Sequence, residues 1–247
     1  MSWHHRGVNE PQVATTVSGF GTVAAKASVP TPGVVMRAYF SSFYLWSSRH
    51  HARLVQEIEQ TGTAAHPFPV RHRAYVIEAV TDAAFFVEAA INEMLKDVFD
   101  NQHEFIGPLD DATKQAWRGY WAGAGKAQAV PKYETALELA GVEPMDHQAS
   151  HYGGTKTLFG LRNYLVHFKP EGVSQTFKPS TLAKQTKTLF AGNALLTGQN
   201  NPWFPDHALG AGFAMWAHET AVAFVDGWCS RIGLTLPYQQ VQWDEEP

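Results

Sequence analysis

HRAYVIEAVTDAAFFVEAAINEMLKDVFD, residues 72–100, places apolar side chains at Val76, Val80, Ala83, Val87, Ile91, Met94 and Val98. Every interval is three or four residues, the spacing of one helix face, and the alternation by two that a strand needs is missing. The spacing therefore predicts a long helix with one continuous seam, suited to packing against other helices at a shallow crossing angle. Asp82 and Glu93 fall on its polar face, where solvent is the expected environment. Glu88 lies at the flank of the seam.

Outward from this segment the rest of the chain reads the same way. Between Val34 and about Gln60, Met36, Phe40, Phe43, Leu54 and Ile58 recur on one side while Arg49, Arg53, Glu57 and Glu59 lie largely elsewhere, which predicts a first long helix with those apolar residues inward. Residues 110–141 read as two short helices separated near Gly123, Gly125 and Pro131, with Asp110 or Asp111 capping the first. A helix over about 148–168 ends at Lys169-Pro170, because the residue before a proline disfavours the helical conformation. A short helix near 180–189, a Gly-Asn-Pro loop at 192–206 and a last helix over about 207–232 complete the pattern, the last carrying Leu209, Phe213, Trp216, Thr220, Phe224 and Trp228 near one face. With no internal repeat and no strand alternation, the expected class is all-α. It is an up-and-down helical bundle over 34–232, preceded by an irregular, Gly- and Pro-containing arm at 1–33 and followed by a C-terminal tail at 233–247.

The chain has 247 residues and 45% hydrophobic content, ample for a core without covalent staples. Its single cysteine, Cys229, excludes an intrachain disulfide framework and a zinc site built on cysteines. No apolar run approaches a bilayer span and the first residues lead into polar sequence, so the expected location is cytoplasmic. The net charge of −4 is unevenly spread. Residues 149–190 hold six basic side chains against Glu171 alone, a local +5 that includes Lys156, Arg162 and Lys169. Such a patch attracts polyanions, though a solvated face explains it equally well.

The stretch that carries chemistry is Leu158-Phe159-Gly160-Leu161-Arg162-Asn163-Tyr164-Leu165-Val166-His167-Phe168. On a helical wheel Leu158, Leu161, Leu165 and Phe168 form a core seam, while Phe159, Arg162, Asn163, Val166 and His167 share a second arc. That arc mixes apolar with strongly hydrogen-bonding side chains, as a face buried against a partner does. Asn163 and His167 are one helical turn apart; Arg162 lies about 7.5 Å along the axis from His167, within reach of its long side chain. Imidazole exchanges a proton near neutral pH, guanidinium grips a phosphate through a planar donor fork, and the amide can orient either.

Arg162-Asn163-Tyr164-Leu165-Val166-His167 resembles the signature of the HEPN family (higher eukaryotes and prokaryotes nucleotide-binding domain): an Arg, a polar residue, three further residues, then a His. Phe85-Phe86-Val87-Glu88-Ala89-Ala90-Ile91-Asn92-Glu93 is similar to the aromatic and acidic helix common in these proteins. The resemblance implies a metal-independent, cofactor-free endoribonuclease that pairs the motif helices of two subunits as a homodimer. His would act as general acid or base at the ribose 2′-hydroxyl, Arg would stabilise the phosphorane-like transition state, and the product would end in a 2′,3′-cyclic phosphate. It places catalysis at Arg162, Asn163 and His167. Glu88, from its place at the flank of the seam, is either a supporting candidate that orients Arg162 or a surface or cap-type carboxylate, and Lys156 and Lys169 in the basic stretch are the RNA-binding candidates. Many members act as toxins or in phage defence beside an antitoxin. Members with a nucleotidyltransferase-like antitoxin can carry Tyr two residues after the His, where this chain has Lys169. The rival reading is a non-catalytic RNA- or protein-binding module on the same bundle.

The remaining candidates are weaker. Twelve histidines invite a metal site, at His50-His51, His147 with His151, or His218-Glu219, but no His-Glu-x-x-His motif occurs and no metal is expected. Gly153-Gly154-Thr155-Lys156 lacks both the spacing of a phosphate loop and a preceding strand. Trp117, Tyr120 and Trp121 have the type to stack on bases, and the spacing of core residues.

Overall fold

A computed structural model describes residues 37–62, 69–102, 104–124, 127–168 and 181–240, the side chains of 181–183 excepted. The arm at 1–33, Lys169 and the Lys169-Pro170 stop lie outside the described residues. Among the described residues seven α-helices run in chain order: α1 Phe40–Thr61, α2 Val70–Phe99, α3 Asp111–Ala124, α4 Ala129–Leu139, α5 Ser150–Val166, α6 Thr181–Thr186 and α7 Ala211–Ile232. Single turns at Ala194–Leu196, Trp203–His207 and Pro237–Gln240 complete the described structure, and no strand occurs among the described residues. Among the described residues no helix is long and apolar enough to cross a membrane.

The seven seam residues of α2, from Val76 to Val98, are all buried. They form the axis of the bundle, with α1 and α7 packed along it and α3, α4 and α5 around the remaining sides. The α1–α2 hairpin is antiparallel: Ser41 meets Glu93, Tyr44 meets Phe85, and Ser47 meets Asp82. Gly62, with φ of 59°, closes α1 in the left-handed conformation that glycine adopts without a Cβ clash. Asp110 caps α3, its carboxylate accepting the Thr113 N–H at 2.7 Å.

The buried face of α1 differs from the expected one. Ser41, Ser42, Leu45, Ser48, Ala52 and Val55 face inward, whereas Phe40 and Phe43 are 56% and 48% exposed. Small side chains let α1 sit close to α2, close enough for the Ser48 hydroxyl to donate to the Ala79 carbonyl at 2.9 Å. The aromatic rings are displaced outward.

Asp82 and Glu93 likewise depart from the solvated position expected of them. Asp82 is buried, and Glu93 accepts both the Ser41 backbone N–H at 2.9 Å and its hydroxyl at 2.5 Å. Residue 41 is the second of α1, so Glu93 caps the N-terminus of a neighbouring helix, where a negative charge also meets the positive end of the helix dipole. Burial raises the Glu93 pKa while the Ser41 hydrogen bonds oppose it. Glu59 of α1 does the same for α7, accepting the Ala211 N–H at 2.7 Å while its other oxygen takes the Ala194 N–H at 3.0 Å and buried His72 bonds at 2.9 Å. These two carboxylates set where α1 and α7 begin, since neither helix has a side-chain cap of its own.

Beyond Gly233, the left-handed residue that ends α7, the chain stays with the bundle. Leu234, Leu236 and Tyr238 are buried, and Tyr238 meets the Phe86 ring edge-on at 4.8 Å.

Candidate functional site

α5 lies against α7 through its first half. Gly154 faces Thr220 with no room for a Cβ, and Gly227 approaches His151, so the two helices run antiparallel. Leu158 and Leu161 complete the buried stripe of α5, as their spacing predicts. Phe168 does not join it: the helix ends at Val166, the chain turns at His167, and Phe168 is 49% exposed.

Arg162 reaches across to α2. Its guanidinium carbon lies 5.0 Å from the centroid of the Phe85 ring, Nη1 donates to Asn163 Oδ1 at 2.9 Å, and Nε is buried without a partner among the described residues. The aromatic face holds the planar cation and strips part of its hydration, which strengthens its attraction for an anion. Asn163 and His167 are exposed, and the His167 N–H donates to the Asn163 carbonyl at 3.0 Å, confirming them as neighbours one turn apart. The His167 ring has no hydrogen-bond partner among the described residues. Val166 beside it is 52% exposed. One end of α5 therefore presents a guanidinium, an amide and an imidazole to solvent, framed by apolar surface.

The other sequence candidates are not gathered here. Glu88 has no described bond to Arg162; its charge acts on Lys132, whose ammonium donates to Asn92 at 2.8 Å and whose pKa burial lowers. Phe85, one turn earlier on α2, takes the place beside Arg162. Lys156 is exposed, its ammonium 4.3 Å from the Tyr152 ring centroid, and its position six residues before Arg162 places it about 120° around the helix. Trp117 is fully buried and donates its indole N–H to the Ala136 carbonyl at 2.9 Å, a core role. Among the described residues no three His, Cys, Asp or Glu side chains gather as metal ligands.

A second polar group on the α1–α2 face has no sequence motif. The Ser47 hydroxyl donates to Asp82 Oδ2 at 2.6 Å and lies 3.3 Å from His51 Nδ1, with that nitrogen 3.8 Å from Asp82 Oδ2. His51 also stacks on Tyr75 at 5.4 Å. Burial raises the Asp82 pKa and the charge of Glu78 adds to this, against the Ser47 hydrogen bond and His51. Only the His50-His51 pair was singled out in the sequence; Ser47 lies one turn before His51 on α1, and Asp82 and Tyr75 come from α2. No protein-family model matches the chain, and no curated protein or solved structure gives a match.

Proposed function

We propose that the protein is a HEPN-type endoribonuclease that cleaves RNA without a metal ion, acting as a homodimer through the exposed face of α5, in a toxin or phage-defence setting. Arg162 binds the scissile phosphate and stabilises charge on the phosphorane-like transition state, His167 transfers a proton, and Asn163 positions the Arg162 side chain it bonds. The observation that carries this reading is the state of Arg162. It is the one member of the set fixed by packing, laid on Phe85, and it has no carboxylate partner among the described residues that would occupy its donors.

The test is cleavage of a labelled RNA pool in EDTA by the wild type and His167→Ala, with product ends identified. Expected is cleavage to 2′,3′-cyclic phosphate ends, reduced about 100- to 10,000-fold in a variant that keeps its fold. Equal inactivity of the two folded proteins would move the reading to a non-catalytic RNA- or protein-binding module.

A further inference from the structure

α1, α7 and the turn at Pro237–Gln240 enclose a cleft of about 390 Å³. The two helices are antiparallel: Glu59 meets Ala211 at one end, and Trp46 shares the cleft with Asp226 at the other. On α7, His218, Val222 and Asp226 recur every fourth residue along the cleft. Thr220 and Gly227, which face α5, lie about 180–200° around the helix from His218. The cleft is therefore on the side of α7 turned away from α5 and from the Arg162 set.

We infer that this cleft binds a small aromatic phosphomonoester, with its phosphate held by Arg49, Arg53 and His218 and its ring against Trp46. Such a site is independent of cleavage at α5.

Charge selects the head of the ligand. Arg49 lines the cleft, Arg53 follows it by one turn of α1, and neither is paired with a carboxylate among the described residues. Two guanidinium groups at that spacing repel each other, and the charges of both also act on His218. The His218 ring offers a further hydrogen-bonding group. Its Nδ1 is buried without a partner among the described residues, which costs free energy until a partner is supplied. A neutral imidazole can carry its proton on that nitrogen and donate it. A phosphomonoester satisfies all three groups: near neutral pH it brings about two negative charges to two guanidinium groups, and its terminal oxygens accept from both forks and from the imidazole. A carboxylate or a sulfate ester brings one charge and leaves one cation uncompensated.

The rest of the cleft selects the body and its direction. Trp46 stacks on His50 with ring centroids 4.7 Å apart, so it stands as a fixed flat wall, and Leu45 and Val222 add apolar surface beside it. Asp226 stands at the far end, about 12 Å along α7 from His218. Its carboxylate accepts from the Tyr238 hydroxyl at 2.6 Å and from the Gln239 amide at 3.0 Å, which ties the C-terminal turn across that end. The negative charge there repels a second anion and turns the phosphate towards the arginines. A volume at the lower end of the range for small-molecule clefts limits the ligand to about one ring system and its phosphate.

The test is calorimetric titration of the full chain at about pH 8, where a phosphomonoester is a dianion, with phenyl phosphate, phenyl sulfate and inorganic phosphate. Phenyl sulfate has nearly the same shape with one charge fewer; inorganic phosphate lacks the ring. Expected is that phenyl phosphate binds the wild type at least about tenfold more tightly than either. Arg49→Gln and Arg53→Gln should each weaken it about tenfold or more, since each removes a charge-assisted contact. Trp46→Leu should lower the affinity for phenyl phosphate to that for inorganic phosphate, which it leaves unchanged, and Arg162→Gln should have no effect on either. Both cleft arginines are exposed, so the core survives their replacement, and melting curves establish that each variant is folded. Should Trp46→Leu not fold, the comparison of phenyl with inorganic phosphate on the wild type decides the part played by the ring. The assignment is overturned if phenyl phosphate does not bind, if phenyl sulfate binds as well, or if both arginine variants bind as the wild type does. Loss of binding in Arg162→Gln alone would overturn it too, by moving the anion to the α5 site.

Discussion

His218 on α7 shows how a single buried side chain ties stability to pH. It lines a cleft of about 390 Å³ with Leu45, Trp46, Arg49, Val222 and Tyr238, and its Nδ1 is buried without a partner among the described residues. Burial, reinforced by the charges of Arg49 and Arg53, lowers its pKa from 6.5 to about 4. The folded protein therefore refuses a proton that the unfolded chain accepts, so this contribution to stability is complete above 6.5 and is lost as pH falls towards 4. The loss is on the order of 2–3 kcal/mol across that interval. Denaturant titrations at a series of pH values should show His218→Gln with a flatter stability profile between those limits. A variant whose profile parallels that of the wild type would show that His218 is not the group responsible. The same scale shows what sequence could reveal of the site. Arg162, Asn163 and His167 were legible because they lie within six residues on one helix. Phe85 as the support of Arg162 was not, because that contact joins α2 to α5.

At the scale of elements, the approach of α5 to α7 is set by Gly154. A Cβ there would lie 2.9 Å from Thr220 Cγ2, whereas one on the preceding Gly153 meets nothing within 4 Å. Both glycines are in the same helix, so replacing either by alanine gains up to about 1 kcal/mol of helix propensity. Gly153→Ala should therefore stabilise, while Gly154→Ala should lose about 1–3 kcal/mol through overpacking. Adding Thr220→Ser to Gly154→Ala removes the clashing methyl and should recover most of the loss; equilibrium unfolding of the three variants checks this. Equal stabilisation by both alanines would mean that the helices separate without cost. The positions of the elements were readable from local periodicity, but the inward face of α1 was not. Hydrophobicity favoured Phe40 and Phe43 as core, yet close contact with α2 selects small residues, and Ser41, Ser48 and Ala52 occupy the seam. Likewise, a carboxylate looks solvated on a helical wheel, and only the neighbouring helix shows that Glu93 and Glu59 cap α1 and α7.

For the whole molecule, the proposed dimer predicts that Val166, exposed beside His167, becomes covered in solution. Sedimentation velocity should give a dimer for the wild type and a monomer for Val166→Asp, with RNA cleavage falling along with association, since a charge buried in an apolar contact is strongly unfavourable. A wild type that cleaves RNA as a monomer at every concentration would remove the dimer from the mechanism while leaving the nuclease.

By itself the sequence determined the all-α class, the central α2 seam and the approximate extent of the long helices, and it is the source of the proposed Arg162-Asn163-His167 set, because each is written within a local window at the period of a helix. Only the tertiary structure decided which face of α1 is buried, which carboxylates start α1 and α7, and that Ser47, His51 and Asp82 meet. Those depend on packing between helices, where side-chain size and the need to satisfy buried polar groups outweigh local hydrophobicity, and where the partner lies 31 to 152 residues away in the chain.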